Sequence, residues 1–276
     1  DRPLADPDHL IDTAPIICYN ILILPNKGAP MKLIHLSDLH LGKRVNEYSM
    51  LEDQKYILKK IQEIIEEENP DGVIVAGDIY DKSVPSTEAV ELLDEFLVQL
   101  SRRDLQVFLI SGNHDSPERL AFGNRLLELG GIHISPVYDG NVEPVVLEDE
   151  FGKLNVWMLP FVKPANVRRF YEDDEISTYT DAMRVAIDKL VSPIEQRKIP
   201  FAMVYGNHDD RNRLTKNEQA EFYRAYSYNV GLDGTDSGDC DTYNIPIYSE
   251  DGEKIKFNIW MLDSAWHDKE QDKCFE

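Results

Sequence analysis

Three short apolar runs, 33–36, 73–76 and 107–110, are each followed by a polar loop and then by a stretch with helical periodicity. Runs of that length are strands buried on both faces. Strands that alternate with helices build a parallel sheet covered by helices. The spacing predicts a helix over 47–68 with Ile57, Leu58, Ile61, Ile64 and Ile65 on its core face, ended by Asn69 and Pro70. Further helices are expected over 86–102 and over 116–129, the latter with Ser116 as cap and Pro117 at its first position. Strands at 132–134, 143–147 and 155–159 and helices at 165–170 and 178–190 follow. A strand at 201–205, a helix at 216–226 and a hairpin pairing 242–248 with 256–262 around Asp251 and Gly252 are expected last. An extra strand is expected within 16–24.

The loops after the three runs carry the chemistry. They read Asp38-Leu39-His40, then Gly77-Asp78 with Asp81, then Gly112-Asn113-His114-Asp115. Ligands of open α/β sheets collect at the carboxyl ends of the strands, so these groups should meet along one sheet edge. Two divalent ions about 3.5–4 Å apart clamp a phosphate and activate a water for in-line attack. Such a pair needs a bridging carboxylate, which suits Asp78. Asp38 and His40 alternate along an extended segment and can reach one ion while Leu39 points away. Asn113 can offer a neutral carbonyl oxygen to the second ion, and His114 is placed to protonate a leaving group. A mixed nitrogen and oxygen site suits manganese, with iron or zinc as alternatives, better than calcium.

This ordered set resembles the calcineurin-like metallophosphoesterase superfamily. Residues 31–42, Ile79-Tyr80-Asp81, Ser116-Pro117-Glu118-Arg119-Leu120 and Leu159-Pro160-Phe161 resemble its SbcD branch, a nuclease subunit family, over 31–190. The resemblance implies a four-layer α/β sandwich of two mixed sheets flanked by helices. It places Asp38, His40 and Asp78 on a first metal, Asp78 and Asn113 on a second, and makes His114 the proton donor that also orients the scissile phosphate. The reaction it implies is two-metal hydrolysis of DNA phosphodiesters in repair and recombination, with an SbcC-like ATPase as partner and a homodimer left open. The family also implies a later histidine after a strand and a closing Gly-His-x-His, neither present in its usual form.

Residues 192–276 resemble another branch, the purple-acid-phosphatase-like phosphoesterases, through Ile199-Pro200-Phe201, 206–210, 243–247 and 260–264. The expected organisation is therefore a loosely ordered leader at 1–30, an SbcD-like core at 31–190 and a C-terminal segment at 191–276 of chimeric origin, with the sandwich incomplete at its C-terminus. Among the remaining histidines, His9, His35 and His133 read as structural. His208 and His267 are candidates for the missing later ligands. An Asp-x-His and a Gly-Asp do not recur before residue 201, which disfavours a tandem repeat.

A formal net charge of −22 bears on partners, because DNA binding needs positive potential along the phosphate backbone. Binding by this chain alone should be weak and salt-sensitive, with the acidic runs at 63–68 and 172–175 on solvated helix faces. Cys18, Cys240 and Cys274 have no metal-binding spacing, which fits a reducing cytoplasm. The apolar stretch 16–24 is too short to span a bilayer, so no membrane role is expected. Two rival readings remain: a phosphomonoesterase or general phosphodiesterase, and an inactive scaffold folded around an incomplete site.

Overall fold

Strand and helix alternate as expected and organise one five-stranded sheet. The computed structural model describes residues 31–149, 152–172, 175–197 and 225–227, together with the backbone of 19–24, 243–248 and 255–261. Strand β1 (Tyr19–Leu24) supplies the extra strand expected in 16–24 and runs antiparallel to β2 (Met31–Leu36). A small hairpin of β3 (Arg44–Val45) and β4 (Tyr48–Ser49) precedes α1 (Leu51–Glu68). The helix starts later than the periodicity predicts because Asn46 and Glu47 take φ of 47° and 72°, a left-handed pair that makes a hairpin turn and cannot continue a helix. At its end Asn69 adopts φ 44° and its N–H caps the Ile65 carbonyl.

Next come β5 (Gly72–Ala76), α2 (Thr87–Ser101) and β6 (Gln106–Ile110), with the Ser86 hydroxyl accepting from the Ala89 N–H at 3.3 Å to cap α2. The single helix expected over 116–129 is broken into α3 (Pro117–Leu120), α4 (Asn124–Leu127) and a 3-10 turn at Glu128–Gly130. Gly123 lies between the first two at φ 75°, a left-handed conformation that stops a right-handed helix. Strand β7 (Ile132–Ile134) completes the sheet, whose order is β1-β2-β5-β6-β7. From β2 to β7 the strands are parallel, and Leu36, Val75, Leu109 and Ile134 align across them.

The chain then forms an antiparallel hairpin of β8 (Pro144–Asp149) and β9 (Gly152–Trp157), followed by α5 (Pro164–Arg168) and α6 (Tyr179–Gln196). Helix α6 opens with a capping box between Thr178 and Asp181. It runs past residue 190, where it was expected to stop, because Val191 and Ile194 extend the buried stripe of Ala182, Ala186 and Ile187. The expected C-terminal hairpin is present as β10 (Tyr243–Tyr248) and β11 (Ile255–Met261). The strand and helix expected at 201–205 and 216–226 lie outside the described residues, apart from a turn at 225–227.

Parity along the strands separates the layers. Ile34, Leu36, Val73, Val75, Val107 and Leu109 face Leu58, Ile61 and Ile65 of α1 and Ala89, Leu92, Phe96 and Leu100 of α2. Fully burying a side chain the size of Phe96 contributes about 1.5–3 kcal/mol. On the other face Leu33, Ile74 and Phe108 meet Val145, Leu147, Leu154 and Val156 of the β8–β9 hairpin and Met158 just beyond it. Trp157 turns away from that interface and joins Val167 of α5 with Ala182 and Ala186 of α6. Four layers result: helices, main sheet, hairpin, helices. Among the described residues the second sheet is the antiparallel β8–β9 pair. Residues Glu63, Glu66 and Glu67 are exposed, as a solvated acidic face requires.

His133 and His35 are structural, as expected. The His133 ring stacks on Phe108 with centroids 5.2 Å apart, and its Nε2 lies 2.9 Å from Gln106 Oε1. His35 is 2% exposed, on the Leu33 face of β2, and among the described residues neither ring nitrogen has a hydrogen-bond partner. Burial pushes its pKa from 6.5 down to about 4, against the opposing pull of Asp38. The unfolded chain therefore takes up this proton first. The stability that depends on neutral His35 is intact above pH 6.5 and is lost as pH falls toward 4. Between pH 7 and about pH 4.5, urea unfolding of the wild type should lose about 2–3 kcal/mol more than that of His35→Leu. Parallel losses in the two proteins would refute it.

Candidate metal centre

Strands β2, β5 and β6 end level with one another, and the loops leaving them are tied together by backbone hydrogen bonds. Asp38 N–H donates to the Gly77 carbonyl at 3.3 Å, His40 N–H to Asp78 at 2.8 Å and Leu41 N–H to Ile79 at 2.9 Å, while Asp81 N–H returns to Leu41 at 3.1 Å. The third loop joins through Gly77 N–H to the Ile110 carbonyl at 2.9 Å and through His114 N–H to Asp78 Oδ1 at 2.9 Å. Asp38, His40 and Asp78 hold φ of 58°, 43° and 45°, left-handed values that non-glycine residues rarely adopt. Leu39, Leu41 and Ile79, interleaved with them, are buried in the core. Gly112 packs so closely that a Cβ there would sit 2.2 Å from both the backbone nitrogen and Oδ1 of Asp78.

This frame brings the expected donors together. His40 Nε2 lies 3.5 Å from Asp38 Oδ1 and 3.7 Å from Asp78 Oδ2. Those separations are too long for hydrogen bonds. They suit a shared cation, since two ligand atoms each about 2.1 Å from an ion at a tetrahedral angle lie roughly 3.4 Å apart. Donor atoms of Asp38, His40 and Asp78, all buried, fall within 4.8 Å of one another. His40, Asp81 and His114 form a second such group that shares the His40 ring. Two carboxylates and an imidazole buried at this spacing make a donor set that fits a divalent ion.

Asp81 links the two imidazoles. Its Oδ1 is 3.7 Å from His40 Nδ1, and its backbone carbonyl is 2.8 Å from His114 Nδ1. A carbonyl only accepts, so His114 Nδ1 carries the proton and Nε2 is the nitrogen left for chemistry. The two rings meet edge to face with centroids 4.8 Å apart. His114 opens onto a groove of about 500 Å³ lined also by Asn113, Asp81, Lys82, Ser83 and Val84. Asn113 is exposed and lines that groove. The sequence grouped Asp81 with its motif but gave it no role.

Asp115 is a brace that motif reading missed. Its carboxylate accepts from Gly112 N–H at 2.8 Å, Tyr80 N–H at 2.9 Å and Ile79 N–H at 3.1 Å, so it staples the second loop to the third. Burial pushes its pKa upward, opposed by those three N–H donors. Burial and the neighbouring Asp115 and Asp94 carboxylates push the Tyr80 phenol up to about 12. The sequence signal for Asp115 was its place directly after Asn113 and His114. His208 and His267, the candidates for later ligands, lie outside the described residues.

A family model described as calcineurin-like phosphoesterase matches residues 31–173, which contain all three loops. The chain is similar to the D subunit of the SbcCD nuclease from Staphylococcus epidermidis (strain ATCC 12228 / FDA PCI 1200), with 36% identity over 170 residues, 61% of this chain and 44% of that protein. It is similar to the protein of the same name from Staphylococcus saprophyticus subsp. saprophyticus at 34% identity over 170 residues, again 61% of this chain and 44% of the relative. The chain thus spans less than half the length of these relatives.

Gly112→Ala tests the frame without replacing a donor residue. The added methyl displaces Asp78, and affinity for a divalent ion in a calorimetric titration should fall by about tenfold or more. Wild-type uptake by a folded variant would contradict the packing described above.

Proposed function

The chain belongs to the calcineurin-like phosphoesterase family, and on that premise we propose that it is a metal-dependent nuclease hydrolysing DNA phosphodiesters. The observation that carries this reading is the convergence of Asp38, His40 and Asp78 donor atoms within 4.8 Å beside the groove that His114 lines. In the proposed site Asp38, His40 and Asp78 would hold one divalent ion, and Asp78 with Asn113 would hold a second. Manganese suits the nitrogen and oxygen donors, with iron or zinc able to replace it. Ions bound there supply a nucleophilic water at neutral pH and offset charge on the phosphate.

The chain's own residues do the rest. Asp78 stands between the first and third loops and can bridge the two ions. Its position is fixed from below by the His114 N–H. His114, with Nδ1 held by the Asp81 carbonyl, would deliver a proton from Nε2 to the leaving oxygen. Leu39, Leu41 and Ile79 pack dry beneath the donors and keep bulk water out from that side. Lys82 on the groove rim offers a cation to a substrate phosphate.

A net charge of −22 opposes any long DNA footprint on this chain alone. The two relatives are named as subunits of SbcCD. An SbcC-like ATPase partner supplying the grip on DNA fits that charge. Among the described residues no helix is long and apolar enough to cross a membrane.

The test compares manganese-dependent cleavage of linear duplex DNA with turnover of an aryl phosphomonoester. Degradation of the duplex that chelator abolishes is the expected result. Phosphomonoester turnover with DNA left intact would replace the proposal with a general phosphatase. His114→Ala should lower turnover by about 10²–10⁴-fold. Its manganese stoichiometry should stay unchanged, because the bond from residue 114 to Asp78 is made by the backbone.

A further inference from the structure

Helix α1 sends one polar side chain into the core. Gln54 is 1% exposed and sits on the same face as Leu58, Ile61 and Ile65. Its amide nitrogen donates to the Leu39 carbonyl at 3.1 Å and to the His40 carbonyl at 2.7 Å, and its Oε1 accepts from the Gly42 N–H at 3.0 Å. A single carboxamide thus makes three hydrogen bonds within four consecutive residues of the loop that carries the first two donors.

That loop needs such a hold. Asp38 and His40 have left-handed backbones, and Gly42 continues the pattern at φ 86°. On one side the loop is tied to the second loop through His40 N–H and Leu41 N–H. Gln54 fastens the other side and fixes the orientation of the peptide groups that flank His40. A carboxamide is suited to this hold because it presents two donors to two carbonyls and one acceptor to an N–H, with no charge to bury.

We infer that Gln54 is a positioning residue for the metal centre, acting through the backbone of Leu39, His40 and Gly42 to set His40 Nε2 against Asp38 and Asp78. This rests on the metal-dependent reading above and adds to it a residue outside the three motifs. Gln54 touches neither ion nor substrate. Its effect should appear in metal affinity before it appears in the chemical step.

The experiment uses the full 276-residue chain and two variants. Gln54→Met keeps the volume and removes all three hydrogen bonds. Gln54→Glu keeps the acceptor for Gly42 and removes the donors to Leu39 and His40. Manganese binding is titrated calorimetrically at a temperature where circular dichroism shows each protein folded. Turnover of bis(4-nitrophenyl) phosphate is then measured at saturating manganese.

Either folded variant should bind manganese about 10–100-fold more weakly than wild type, the range seen when a group supporting a ligand is removed. Its KM for the ester at saturating metal should remain close to that of wild type. A packing role alone would lower the melting temperature and leave the manganese isotherm of the folded protein unmoved. If Gln54→Met does not fold, the Gln54→Glu isotherm decides. Wild-type affinity in a folded variant overturns this inference alone. Absence of manganese uptake by the wild type overturns the metal reading and this inference with it.

Discussion

Backbone conformations that L-residues avoid underlie the whole site. Asp38, His40 and Asp78 sit in the left-handed region, at a cost of about 1–2 kcal/mol each relative to right-handed backbone. Such residues persist only when their surroundings over-determine them. Here the surroundings are the mutual hydrogen bonds of the first two loops, the Asp115 staple between the second and third, and the level ends of three parallel strands. The core between the sheet and the first two helices supplies the stability that offsets the strain. In exchange the donors are arranged before any ion arrives.

Much of this was legible from the amino-acid order. Runs such as 73–76 admit one reading, since an all-apolar tetrapeptide between a helix end and a Gly-Asp is a covered strand. Asp38, His40 and Asp78 were recognisable because chemistry restricts which residues can stand at strand ends in that order, and the structure brings them together. The broken helix after Ser116 was harder to foresee. One glycine at a left-handed φ ended it, and Gly123 looks no different in sequence from a tolerated helix glycine.

The supporting residues were less visible for a different reason. Gln54 occupies the position one turn before Leu58 on an apolar stripe, where a polar residue is anomalous, and that anomaly was the available signal. Asp115 closes the third motif and reads as one more acidic residue at a helix start. Its three N–H donors come from two loops, and no local pattern announces them. Asp81 works through its backbone carbonyl as well as its carboxylate, and side-chain identity says nothing about the former. Ligands are chosen by chemistry, which sequence records. Supports are chosen by topology, which it records only indirectly.

The interleaving of Asp38 and His40 with the buried Leu39 and Leu41 gives the first loop a parity of its own. Even-numbered positions serve the cations and odd-numbered ones anchor the loop. A single inserted or deleted residue cannot be absorbed there, because it breaks the hydrogen bonds from His40 and Leu41 to the second loop and from Gln54 to Leu39, His40 and Gly42. Divergence in this segment is thus closed to changes of length.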